Sequence, residues 1–451
     1  MVTGNTVRRI SMPSNSVTRG VVILFAAASL VSVARANSQT NGKTVRHHRA
    51  EENSTPADVA KAEEAIEKRD YPAAEALLKK VVAGDPADYQ AWFDLGFTYN
   101  ALGRGGEAIE AYRKSVAAKS DVFESNLNLG LMLAKTGDPE AEVFLRSATT
   151  LKPSAQIQEG QEHAWLSLAH VIEATKPDQA IAAYRRAEDL QPNDAEPYIS
   201  AGMLLAKLNR LDEAREQYSR AVALAPHSDD ALAGLADLYL RQGRFVEAQD
   251  ALRRLLAGRP NDVRATALLG RALAASGKSD EAVAQLEAAQ KLAPEDRAIK
   301  EDLADLYSST GKYGEAEVQY RALLSAQPNN AELHHGLGKS LLNQRRFSEA
   351  QQELLIAVKL KPDLGSAYGD LAAAANENKD YQLAIRATDA RAKFLPEIPA
   401  SYFVRATAYD HLREYKLAAE NYHQFLQVAN GKYPDQEWQA RHRLLAIEPK
   451  K

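Results

Sequence analysis

The chain has 451 residues, 45% of them hydrophobic, and a formal net charge of −4. So mild an acidity argues against nucleic acid as a partner, which usually demands a basic stripe. The lack of cysteine excludes disulfides, thiolate metal sites, cysteine nucleophiles and lipidation of a cysteine.

The first 36 residues read as a secretory leader. Arg8, Arg9 and Arg19 make a basic region, and Val21 to Val33 is an apolar run of 13 residues. Ala34-Arg35-Ala36 then supplies the small residues that a signal peptidase reads. The run is shorter than the roughly 20 residues of a membrane span. Cleavage is expected after Ala36, leaving a periplasmic or secreted chain of charge −8 once the four leader arginines are gone. The alternative is an uncleaved leader that anchors the chain in the inner membrane, its sole membrane contact. Residues 37–54 hold almost no large apolar side chain and read as a disordered tether. Within them His47-His48 stands without further ligands, so no metal site is expected.

From here the chain repeats. Pro192, Pro226, Pro260, Pro294, Pro328, Pro362 and Pro396 stand 34 residues apart. Ala180, Ala214, Ala248, Ala282, Ala316, Ala350, Ala384 and Ala418 keep the same spacing, and a small residue such as Gly202, Ala236 or Gly270 precedes each by about 12. One unit shows the physics. Leu232, Leu235, Leu238 and Tyr239 mark one helical face, and Gly243 ends it. Val246, Leu252, Leu255 and Leu256 mark a second face, and Pro260 forbids more helix. The small residues Ala236 and Ala248 are expected where the two helices cross.

Counting with these anchors gives about eleven units over 55–430. The first, with Lys61, Glu63, Glu64, Glu67 and Lys68, has the polar face of a terminal unit. The third and fourth depart from the frame. Ala141 and Ala180 each arrive one residue early, yet lie 39 residues apart, the surplus falling in 154–162. A longer loop or an extended helix is expected there, with irregularity over 137–180. After the last unit, Trp438, Leu444, Leu445 and Ile447 read as a capping helix within a C-terminal segment 431–451.

A 34-residue helical pair with a small residue at position 8, alanine at 20 and proline at 32 resembles the tetratricopeptide repeat. Trp92, Trp165, Tyr198, Tyr368 and Tyr402 match its aromatic position 4, and Tyr112, Tyr184, Tyr218, Tyr320 and Tyr422 its position 24. The resemblance implies an all-α fold, a right-handed superhelical solenoid of antiparallel helix pairs. It also implies a non-catalytic scaffold or adaptor that binds peptides or protein surfaces along a concave groove, here in the cell envelope. An accessory subunit of an envelope assembly, polysaccharide-export or glycosyltransferase complex is the alternative. Repeats, tether and leader use nearly the whole chain, so no catalytic domain, cofactor or nucleic-acid site is expected.

The resemblance puts the groove on the first helices, at positions 2, 5, 9, 12 and 13. Partner contacts are expected from Phe93, Phe97 and Asn100, then His170 and Met203, then Asp237, Arg271, Asp305, Lys339 and Asn343. Phe93 and Phe97, four apart, would form an apolar anchor if both face the groove. The position-9 charges Asp237, Arg271, Asp305 and Lys339 alternate in sign and are expected to pair along the array, as a solvated ladder or a polar track for an extended peptide. Asn128 alone matches the asparagine of the carboxylate-clamping members of the family, whose lysines are missing here. His163 and His170, seven apart, lack the four-residue spacing of a zinc pair.

Overall fold

The computed structural model describes residues 57–448, so the leader, the tether and the last three residues of the tail lie outside the described residues. Every element within them is an α-helix. The chain divides into two compact units, Met1–Pro260 and Asn261–Lys451.

In the first unit twelve helices form six hairpins: α1 (Ala57–Glu67) with α2 (Tyr71–Gly84), α3 (Tyr89–Ala101) with α4 (Gly105–Ala118), α5 (Phe123–Thr136) with α6 (Ala141–Thr150), α7 (Ile157–Ile172) with α8 (Pro177–Leu190), α9 (Glu196–Lys207) with α10 (Leu211–Leu224), and α11 (Asp229–Arg241) with α12 (Phe245–Gly258). The second unit has five more: α13 (Val263–Ala275) with α14 (Ser279–Leu292), α15 (Arg297–Ser309) with α16 (Tyr313–Ala326), α17 (Ala331–Asn343) with α18 (Phe347–Leu360), α19 (Gly365–Glu377) with α20 (Tyr381–Ala392), and α21 (Pro399–His411) with α22 (Tyr415–Ala429). A single helix, α23 (Pro434–Ile447), packs on α22.

The turn inside every hairpin but α7–α8 bends through one left-handed residue. Gly103, Gly137, Gly243, Gly277 and Gly311 hold it at φ of 70–80°. Arg69, Asn209, Arg345, Lys379 and Arg413 hold the same place at φ of 60–66°, a conformation that opposes a Cβ. The α7–α8 turn has no such residue; it is one residue short, and Pro177 starts the next helix directly.

Between several of the hairpins the residue two after the proline caps the next helix. Asp88, Asp262 and Asp296 accept the backbone N–H of Ala91, Ala265 and Ile299 at 2.9, 2.9 and 3.1 Å. Position 4 closes the same corner in three hairpins. Trp92, Tyr198 and His334 each bond the carbonyl of the proline six residues earlier, Pro86, Pro192 and Pro328, at 3.0, 3.5 and 2.9 Å.

Small residues mark the helix crossings. Ala236 and Ala248 are wholly buried, and a Cβ on Gly270 would stand 2.7 Å from Leu286 Cγ and 3.3 Å from the Ala282 carbonyl oxygen. Position 24 locks one hairpin to the next. Tyr218 of α10 fits between Gly202 of its own hairpin and Gly234 of α11. In the second unit Tyr320 of α16 meets Gly336 of α17 in the same way.

Ion pairs tie some of the second helices together near their starts. Arg104 joins Glu107 and, at 2.8 Å, Glu75 of α2. Arg346 joins Glu349 at 2.5 Å and Glu317 of α16 at 2.7 Å. The Arg104 hydrogen bond holds the Glu107 carboxylate below the usual range, and the Arg346 hydrogen bond does the same at Glu349.

The 39-residue spacing takes a definite shape. α7 begins at Ile157, five residues before the 34-residue frame would start it, and runs for 16 residues. The segment ahead of it folds onto the start of α5. Ser154 donates from both its backbone N and its Oγ to Glu124 Oε1, at 2.7 and 2.6 Å. Pro153 and Gly160 close over Phe123, and a Cβ on Gly160 would meet Pro153 Cγ at 2.9 Å. α5 is consequently buried along ten of its 14 residues, polar side chains included.

Candidate functional site

In the first unit α3 carries Phe93, Phe97 and Asn100. Phe93 is 2% exposed and its ring centroid lies 5.6 Å from that of Tyr112, inside the core. This corrects the expectation of a two-ring surface anchor: only Phe97, half-buried at the edge of the same core, reaches solvent, with Asn100 half-buried one turn on. Asn128 is likewise corrected, because it is wholly buried in α5 and offers no surface for a carboxylate. His170 of α7 has its Nε2 3.2 Å from Ser200 Oγ of α9, and burial pushes its imidazole down, so it is neutral near pH 7. Met203 of α9 is half-buried. Asp237 of α11 lies 3.7 Å from Arg241, one turn along its own helix.

In the second unit the position-9 charges do not pair with one another. Arg271 of α13 donates its Nε to Asp302 Oδ2 of α15 at 2.5 Å, at position 6, while Asp305 accepts from the Tyr320 hydroxyl at 3.0 Å. Burial pushes the Asp302 carboxyl up against the pull of Arg271. Lys339 and Asn343 of α17 are exposed, Asn343 Nδ2 bonding the Lys339 carbonyl oxygen at 2.8 Å. The expected ladder of position-9 ion pairs is therefore replaced by position 9 to position 6 in this unit. Second helices are also paired within each unit, through Arg104 in the first and Arg346 in the second.

The structure adds a residue that sequence reasoning passed over. Glu162 of α7 is 7% exposed, its Oε1 has no hydrogen-bond partner, and burial, then Asp194, Glu196 and Glu159, pushes it up to about 7. The next residue, His163, is held down by burial and leaves Nε2 buried and unbonded. An acidic side chain inside the surplus segment was the one available signal.

Family matches follow these hairpins. Residues 58–191 match the Cilia and flagella-associated protein 70 middle TPR-like domain. Two families described as Tetratricopeptide repeat match, one over 171–229 and the other over 214–272, 241–306 and 307–375. Residues 58–375 are tetratricopeptide repeats. The all-helical hairpins, with small residues at each crossing, are the tetratricopeptide fold.

Solved structures align with it. YrrB, described as a TPR protein with an unusual peptide-binding site, is 24% identical over 42% of this chain and 96% of its own, with a TM-score of 0.39. MamA from Desulfovibrio magneticus RS-1 is 20% identical over 37% of this chain and 94% of its own, with a TM-score of 0.36. Yeast Tom70 is 14% identical over 86% of this chain and 95% of its own, with a TM-score of 0.33. No curated protein matches the sequence.

Proposed function

We propose that this chain is a non-catalytic protein-interaction scaffold of the cell envelope, all eleven hairpins being tetratricopeptide repeats, which grips peptides or protein surfaces with the first helices. The observation that carries this reading is the division of labour within the repeats. Tyr218, Tyr320, Arg104 and Arg346 hold repeat to repeat, while the first helices leave Lys339, Asn343 and Asp305 exposed and Phe97 and Met203 half-exposed. A surface that the stacking does not need is available for a partner. The leader-like residues 1–36 support export to the periplasm or beyond.

The test is affinity capture from envelope extracts with residues 37–451 as bait, beside the same bait carrying Phe97→Ala and Lys339→Glu. A partner captured by the wild type and lost from the variant supports the first-helix surface. Equal capture by both baits removes that surface from the reading. N-terminal sequencing of the exported chain tests the leader: a start at Asn37 is expected, and an intact Met1 in the membrane fraction overturns cleavage.

A further inference from the structure

We infer that the first half of α7 and the start of α9 form a binding site for a cationic side chain, lysine or arginine, of a protein partner. This rests on the interaction-scaffold reading and names the chemistry of one of its contacts. The floor of the site is Glu162, 7% exposed, with Oε1 buried and without a hydrogen-bond partner. The rim is Glu159, one turn earlier on α7, with Asp194 and Glu196 beside α9, all three exposed. These are the charges that act on Glu162; among the described residues no lysine or arginine joins them.

Several other buried or half-buried carboxylates are answered. Asp302 has Arg271, Asp410 has Arg443, and Glu317 has Arg346. Glu124 has the two donors of Ser154. Glu162 has instead three like charges, an arrangement that raises its cost. His163 supplies no charge, since burial keeps it neutral. Farther along α7, His170 is engaged with Ser200 and Glu173 accepts from the Tyr184 hydroxyl of α8 at 3.1 Å. An ammonium or guanidinium entering across the acidic rim would donate to Oε1 and neutralise the cluster. A metal ion fits less well, because no group of three or more metal-ligating side chains forms among the described residues. Burial and the rim carboxylates keep Glu162 partly protonated near neutrality, so a bound cation would displace its proton and bind more tightly as pH rises.

The probes are fluorescein-labelled hexalysine and hexa-arginine, titrated into the full chain by fluorescence anisotropy at about 150 mM salt, near pH 6 and near pH 8. Two variants lose one negative charge each: Glu162→Gln, and Asp250→Asn on the exposed face of α12. Tighter wild-type binding at the higher pH is expected, with roughly tenfold weaker binding in Glu162→Gln and none of that loss in Asp250→Asn. Equal behaviour of the two variants, with circular dichroism unchanged, would reduce the effect to net charge and overturn the site. Displacement of the peptides by millimolar calcium or zinc from the wild type, but not from Glu162→Gln, would overturn it in favour of a metal. Either failure leaves envelope capture intact, so the scaffold reading stands or falls separately.

Discussion

Tyr218 of α10 packs on Gly234 of α11 so closely that a Cβ on Gly234 would stand 2.4 Å from Cζ of the ring. The contact joins one repeat to the next, and the ring is wedged on its other side by Gly202. Gly234→Ala is expected to cost roughly 1–3 kcal/mol by overpacking. The control is Gly106→Ala in α4, where nothing lies within 4 Å and the helix should gain up to about 1 kcal/mol. Urea midpoints that move the same way in both variants would contradict the wedge.

A second expectation concerns the hairpin turns. Lys379 holds φ of 66° where five of the other turns have glycine. Lys379→Gly relieves a left-handed strain of about 1–2 kcal/mol and adds unfolded-state entropy worth about 0.5–1. A net gain of several tenths of a kcal/mol in denaturant stability should result; a loss would mean that the lysine side chain holds the turn.

The pH profile of stability carries the signature of Glu162. Its folded pKa of about 7 lies above the ordinary carboxylate value, so the folded state holds its proton more firmly than the unfolded one. The corresponding stability is fully present below about pH 4.5 and is lost as pH rises through about 7, an effect of roughly 2–3 kcal/mol. Glu162→Gln should flatten that decline in thermal melts of the free chain. A profile shared by wild type and variant would place the titration elsewhere.

Arg443 of α23 clasps Asp410 of α21 with two donors at 2.6 and 2.7 Å, and Tyr422 adds its hydroxyl at 3.2 Å. Asp410 is 9% exposed, so Arg443→Ala strands a buried carboxylate. Solvent around the half-exposed guanidinium lowers the cost to roughly 1–2 kcal/mol. Faster proteolysis within α23, ahead of the rest of the chain, is the expected readout, and unchanged cleavage would show that Leu444 and Ala440 hold the cap unaided.

How much of this was legible beforehand differs from residue to residue. The 34-residue spacing of proline, alanine and glycine was enough to place the hairpins, because those residues act on their own backbone and on a crossing that recurs in every unit. Ala236, Ala248 and Gly270 lie where such a crossing requires. Contacts between repeats were less legible. Whether Arg271 reaches Asp302 or Asp305 depends on the stagger of α13 against α15, and both choices are acidic. Phe93 was an equally fair candidate for surface or core until the position of Tyr112 was known. Glu162 was illegible for another reason: its state depends on what the surplus residues cover, and no periodicity governs a segment that occurs once.

The caps at the end of the proline turns bear on how this chain can be taken apart. Asp88, Asp262 and Asp296 belong by sequence to one repeat and by hydrogen bonding to its successor. A cut placed at the boundary of the written repeat removes the donor's acceptor from the helix that follows. Fragments for domain exchange or shortening of the array should therefore begin one residue upstream, at Asp262 rather than Val263, so that each transplanted module carries its own first hydrogen bond.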